Sequence, residues 1–299
     1  MGNMVNRRGP YRLRGNVHVL PDPMFPLYVV RGERNVLIDC SILAHARQIE
    51  KDLDALLGKD RIDLVLVTHS HYDHTGACSQ LQEKYGSEIV ASQRTKEILE
   101  NDKAIAFIYD LNQKFKEILG DRSGTIFTKP RNVRGIKEND VLSLPGEQTI
   151  EVFETPGHTR CSISFLLKPE NILFPGDAAG VIETTGRIKP LFLSSYSQYE
   201  NSLKKLIAIH AEMLALPHNT PIRGEKKVRE FLTASLAETQ RFKSDIAARL
   251  RETNDFDLIA ETILDQEYAS PTIMGPREAL LINVTSMVKS VFYEFVKIP

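Results

Sequence analysis

The sequence predicts an α/β core followed by a helical C-terminal segment. Short β-type runs recur through the first two hundred or so residues, helical periodicity falls between them, and after Gly224 only helical patterning remains.

The β-type runs lie at 16–20, 27–31, 36–39, 64–68, 89–91, 149–154, 162–167 and 172–174. Gly32-Glu33 is placed to turn the second run into the third, and Lys168-Pro169-Glu170-Asn171 to join the last two as a hairpin. Amphipathic spacing predicts helices over 42–57, 76–85, 94–119 and 198–212, then over 225–252, 257–268 and 276–296. No low-complexity linker precedes the last three, so Gly224 marks a change of architecture and not a tether. The expected organisation is a core domain over 1–224, with a helical insertion at about 93–122, and a helical cap over 225–299.

Composition narrows the classes of partner. The 299 residues carry 38 basic and 39 acidic side chains, a net charge of -1, which leaves no overall footprint for nucleic acid or an anionic membrane. A small-molecule substrate is expected. Cys40, Cys78 and Cys161 are few, odd in number and lack CxxC spacing, as in a reducing compartment. The segment from Met1 to Arg8 shows no apolar signal-type run, Asn6 stands where a myristoylation signal calls for Ser or Thr, and no later run reads as bilayer-spanning. The expectation is a cytoplasmic protein; a homodimer is compatible with the sequence.

The hexapeptide His69-Ser70-His71-Tyr72-Asp73-His74 follows the apolar run Leu64-Val65-Leu66-Val67 and packs four candidate metal ligands together. Alternation along an extended chain puts His69 and His71 on one face, where neutral imidazoles can grip one ion. At about 3.3 Å per residue, a continuing strand would carry position 73 about 13 Å beyond position 69, outside one coordination sphere. The chain must therefore turn, and Thr75-Gly76 with the following helical pattern can fold Asp73 and His74 back toward a second ion. A purely structural reading makes Asp73 a helix N-cap, but capping does not call for three histidines.

Further candidates arrive in later turns, each after an apolar run: His158 in Thr155-Pro156-Gly157-His158-Thr159, Asp177 in Pro175-Gly176-Asp177 and His218 in Pro217-His218-Asn219. Turns at strand ends are where scaffolds display function. Five of the eight histidines occupy these sites, whereas His18, His45 and His210 lie inside expected strands or helices and are read as ordinary surface or core residues.

With these motifs in this order, residues 11 to 224 resemble the metallo-β-lactamase superfamily, whose His-x-His-x-Asp-His motif is followed by separate His, Asp and His motifs. The resemblance implies a four-layer αβ/βα sandwich. It also implies two divalent metal ions, one held by His69, His71 and His158, a second by Asp73, His74 and His218, with Asp177 bridging both. Zinc is the foremost candidate, and iron or manganese also suit such a donor set. Leu37-Ile38-Asp39 is similar to the family's early strand, so Asp39 is either an acid that supports the ligand loop or a plain turn residue. Ala91-Ser92-Gln93-Arg94-Thr95, Gly176-Asp177-Ala178, Lys189-Pro190-Leu191, Arg223-Gly224 and the three-helix tail resemble the quinolone-signal-response, thioesterase-like branch of that superfamily. Leu216-Pro217-His218-Asn219 departs from the commoner Pro-Gly-His-Gly and leaves the path around the last ligand open.

The resemblance implies a metal-dependent hydrolase in which a metal-bridging hydroxide attacks a small thioester or ester, with Asp73 relaying a proton to the leaving group. The insertion's Phe107, Tyr109 and Phe115 and the tail's Tyr268, Met274, Met287 and Phe292 are expected to build core or line an apolar acyl pocket. The alternatives are a lactonase, disfavoured because Ala178-Ala179-Gly180-Val181 offer no Tyr after the acid, and a phosphodiesterase, disfavoured by the neutral charge balance. His71 stands where flavodiiron relatives carry Glu. A signalling effector that binds a protein partner, with hydrolysis secondary, is the alternative from a different class; His69→Ala with His158→Ala separates it from an enzyme.

Overall fold

A computed structural model describes residues 9–183, 185–268 and 277–297. The chain divides into two compact units, the first formed by Met1–Phe153 and Ile163–Phe174, the second by Glu154–Ser162 and Pro175–Pro299.

The first unit holds β1 (Tyr11–Arg14), β2 (Val17–Leu20), β3 (Leu27–Val30), β4 (Val36–Ile38), α1 (Ala46–Leu57), β5 (Leu64–Val67), α2 (Tyr72–Thr75), α3 (Cys78–Tyr85), β6 (Glu88–Ser92), α4 (Gln93–Glu100), α5 (Asp102–Ile118) and β7 (Arg134–Ile136). It continues with β8 (Val141–Ser143), β9 (Thr149–Glu154), β10 (Ile163–Lys168) and β11 (Ile172–Phe174). Strands β1 to β7 form one sheet in sequence order. Pairing is antiparallel up to β4 and parallel from β4 to β7, because helical crossovers and not hairpins return the chain after β4. Every residue of β3, β4 and β5 is buried, which is why they read as unbroken apolar runs without alternation. Helices α1 and α3 bury Leu53 and Leu81 in the same core as Leu37, Val65 and Ile89. Strands β8 to β11 belong to a second sheet, and the Tyr28 ring of β3 meets the Phe174 ring of β11 at 5.6 Å, edge to face.

Both expected hairpins form, as β3–β4 and β10–β11. The single helix expected over 94–119 is two helices. Asn101 breaks it, its side chain accepting from the N–H groups of Lys103 and Ala104 as the N-cap of α5, while the Ser92 hydroxyl accepts from Thr95 N–H to cap α4.

The second unit holds β12 (Val181–Ile182), β13 (Ile188–Lys189), α6 (Tyr196–Ala208), β14 (Met213–Leu214), β15 (Ile222–Arg223), α7 (Glu225–Leu250), α8 (Phe256–Glu267) and α9 (Arg277–Val291), with a π-helical turn over Phe292–Val296. β12 pairs with β13 and β14 with β15, both antiparallel. These two-residue strands are too short for an alternation to show in sequence. Lys189 of β13 is fully buried, its ammonium 3.4 Å from a Glu267 carboxylate oxygen and 4.6 Å from the Tyr268 ring centre, so a charge inside this unit is paired and stacked. The stretch Arg277–Val296 has the length and hydropathy of a membrane span, which the sequence reading did not register. About a third of that stretch is buried, Leu280, Val284, Met287, Val288 and Val291 among it, and it carries Lys289 and Glu294. Met274 and the segment from Met1 to Arg8 lie outside the described residues.

Candidate metal centre

In the first unit, β5 delivers its ligands where the sheet ends. His69 and His71 stay on one face, ring centres 4.6 Å apart. At His71 the chain leaves the extended path: the His71 carbonyl accepts from His74 N–H, Thr75 N–H and the Thr75 hydroxyl at 3.0, 3.1 and 2.9 Å, closing α2. That one turn brings the His74 ring centre back to 4.0 Å from that of His69 and sets His74 Nε2 3.7 Å from Asp73 Oδ2. Gly76 makes the turn possible. A Cβ there would lie 2.4 Å from Leu43 N and 2.7 Å from Ile42 Cα, so no larger residue fits beneath the loop.

Asp39 holds the ligand loop in place. Buried at the end of β4, it accepts from Thr68 N–H at 2.8 Å and from His74 Nδ1 at 2.9 Å, while Thr68 Oγ1 donates to the same carboxylate. Its φ of 57° makes it the turn residue as well, and its bonds to Thr68 and His74 make it the supporting acid. Because Nδ1 of His74 faces a carboxylate, its proton sits there and Nε2 presents a lone pair. Cys40 and Cys78 meet behind the loop with sulfurs 2.9 Å apart, and Cys40 donates to the His74 carbonyl. Burial, and then the neighbouring Cys78, push the Cys40 thiol well above its usual range, so it is a neutral packing group and not a thiolate ligand.

The second unit carries the other three candidates. His158 sits in a turn whose Gly157 has φ 127° and would place a Cβ 2.2 Å from Tyr199 N. His158 Nδ1 lies 2.9 Å from the Leu191 carbonyl oxygen, which can only accept, so the ring carries its proton on Nδ1. Nε2, the lone-pair nitrogen, is 3.2 Å from Asp177 Oδ2. The other oxygen of the same carboxylate, Oδ1, is 3.2 Å from His218 Nε2. Asp177 is thus buried with one oxygen turned to each histidine. Its backbone is held by the Tyr199 hydroxyl, which donates to the Asp177 carbonyl at 3.2 Å. Asn219, the departure noted in the last motif, fixes the His218 turn: its amide accepts from Ile182 N–H and donates to the Ile182 carbonyl, both at 2.8 Å, as a paired strand residue would.

His69, His71, Asp73 and His74 thus gather in the first unit, and His158, Asp177 and His218 in the second. His18, His45 and His210 take ordinary partners: the Asn16 carbonyl, Asp22 at 3.3 Å and Glu225 at 3.1 Å. Sequence reasoning missed Thr68, Tyr199 and the Leu191 carbonyl. Thr68 read as the tail of an apolar run, and a carbonyl 33 positions from its histidine leaves no trace in composition.

Residues 26–218 match the profile of the Metallo-beta-lactamase superfamily. A metallo-beta-lactamase fold-containing protein of Sulfurisphaera tokodaii is 24% identical over 69% of this chain and 78% of its own length. An acyl-coenzyme A thioesterase of Gallus gallus is 30% identical over 49% of this chain and 51% of its own. Among solved structures, a metallo-beta-lactamase family protein of Thermus thermophilus superposes with a TM-score of 0.67 at 18% identity, covering 93% of both chains.

Proposed function

Because the chain belongs to the metallo-beta-lactamase superfamily, whose members are metal-dependent hydrolases, we propose that it hydrolyses a small thioester or ester with the help of two divalent metal ions. The observation that carries the reading is Asp177, whose two oxygens each face a different histidine at 3.2 Å. The donor set fits such ions. Nδ1 of His74 faces the Asp39 carboxylate and Nδ1 of His158 the Leu191 carbonyl, which leaves Nε2 of both rings as the ligand atom. As the family resemblance implies, His69, His71 and His158 would hold one ion, Asp73, His74 and His218 the other, and Asp177 would serve both.

Bound ions of this kind polarise a carbonyl oxygen and make water nucleophilic near neutral pH, a task for which some hydrolases use an activated Ser or Cys. The protein's own part is to orient donors and to move a proton. Asp73, half-buried beside His74, would take up the proton that the attacking water gives up and pass it to the departing thiolate sulfur or alkoxide oxygen. The choice of an acyl thioester or ester over a lactone or phosphodiester draws on the relative named as an acyl-coenzyme A thioesterase and on apolar cover near the ligand turn. Phe115 of α5 stacks on Tyr72, inside the ligand motif, at 5.0 Å, although Phe107 and Tyr109 of the same helix are exposed. The test is turnover by the metal-loaded protein of matched acyl-thioester, aryl-ester, lactone and phosphodiester substrates. Preference for the first two supports the reading; turnover of lactones or phosphodiesters alone overturns it.

A further inference from the structure

The second unit contains a cavity of about 580 Å³ walled by the segment leading into α6, the start of α6 and the last turns of α9 with the turn that follows. That is the size of a small-ligand pocket. Two cationic side chains line it, Arg160 and Lys289, and neither forms an ion pair among the described residues. The acid in its wall, Glu294, is already engaged. It accepts from Tyr196 N–H at 2.9 Å and Ser197 N–H at 3.0 Å, and the Ser290 hydroxyl also reaches it, so its charge is spent on the positive end of α6. The cavity therefore favours an anion.

It is also tied to the candidate metal centre. Arg160 follows His158 by two residues, so their backbones are at most about 7 Å apart. Ser194 and Ser195, which also line the cavity, are bonded to the residue just before that ligand: Gly157 O accepts from Ser194 N–H and the Ser194 hydroxyl, each at 3.0 Å, and from Ser195 N–H at 3.2 Å. A guanidinium fork pairs with two oxygens of a phosphate or carboxylate at once, and an ammonium adds a point charge.

We propose that this pocket holds the anionic end of the substrate's leaving group, a phosphate or carboxylate carried by the thiol half of a thioester. The inference rests on the thioester reading above and gives that substrate a charged half. It places specificity for the leaving group in Arg160 and Lys289, apart from the metal ligands.

The experiment compares metal-loaded wild type with Arg160→Gln/Lys289→Gln, both exposed positions where folding is checked by thermal melting. Binding of coenzyme A, which carries phosphates, and of glutathione, which carries carboxylates, is measured by calorimetry. In parallel, kcat/KM is measured for the coenzyme A thioester, the glutathione thioester and the uncharged N-acetylcysteamine thioester of the same acyl group. The expected result is that one of the two thiols binds wild type and loses about tenfold to a hundredfold in affinity in the variant, with the charged-to-uncharged ratio of kcat/KM falling likewise. The thiol that responds identifies the anion. No binding of either thiol, or binding that the variant leaves unchanged, overturns the pocket even where thioesters are hydrolysed. Thiol binding that depends on Arg160 and Lys289 in a protein that splits no thioester upholds the pocket and overturns the reaction.

Discussion

The Asp39 carboxylate lies 2.9 Å from Nδ1 of His74, and the same carboxylate takes the N–H and hydroxyl of Thr68. One buried acid thereby fixes the tautomer of a ligand and the loop that carries it. Asp39→Asn keeps the shape but replaces an anionic acceptor with an amide. Outer contacts of this kind are worth about 10- to 100-fold in metal affinity. Competition against a chromophoric chelator is expected to show a loss in that range for at least one ion; unchanged affinity would mean that Asp39 is only a turn residue.

Gly157 is required where it stands. Its φ of 127° and the 2.2 Å that would separate a Cβ from Tyr199 N leave an added methyl nowhere to go. Gly157→Ala is expected to cost about 1–3 kcal/mol or more, read as a lower urea midpoint, with α6 and the His158 turn forced apart. A variant as stable as wild type would contradict the close approach.

Lys189 is buried among Glu183 at 3.8 Å and Glu267 at 3.4 Å. Burial pulls the amine below its usual range and pushes the Glu183 carboxyl above its own. Lys189→Met removes the buried cation that lies between these two acids and is expected to cost about 3–5 kcal/mol. Adding Glu183→Gln should return part of that loss, because one uncompensated charge is then removed; denaturant melts of the single and double variants check the order.

Acid should weaken the same cluster. Burial alone would raise the Glu267 carboxyl, but Arg241, Lys189 and Arg187 outweigh it and hold the group below the usual glutamate value of 4.5. A carboxylate with a depressed folded pKa contributes stability that is complete above its unfolded value and is lost as pH falls through its folded value. Wild type is therefore expected to lose melting temperature below about pH 4.5, and Glu267→Gln to lose less over that interval. Parallel curves for the two proteins would show that the ion pairs carry no such stabilisation.

The ligand motifs were legible because each is a polar cluster after an apolar run, and extended geometry required a turn, expected at Thr75-Gly76 but made earlier, by α2 over Tyr72–Thr75. Strands β3, β4 and β5 were legible for a related reason, since full burial leaves unbroken apolar sequence. Strand β1, with Arg12 and Arg14 in alternation, and β8, whose Val141 is 55% exposed, were missed because edge strands owe their structure to a neighbour and not to their own composition. Asn101 could have revealed the break between α4 and α5, being a cap residue followed by Asp102, but unbroken periodicity outweighed it. Asn219 was visible only as a departure; its role as a substitute strand partner depends on Ile182, 37 positions away.

The most direct measurement is metal content together with thioester turnover, in wild type and in Asp177→Asn reconstituted with zinc. The account predicts two ions for each wild-type chain and measurable turnover, with the variant keeping at most one tightly held ion and losing hydrolysis. Wild type that takes up no ion under saturating zinc, or an Asp177→Asn protein that keeps both ions and full turnover, would contradict it.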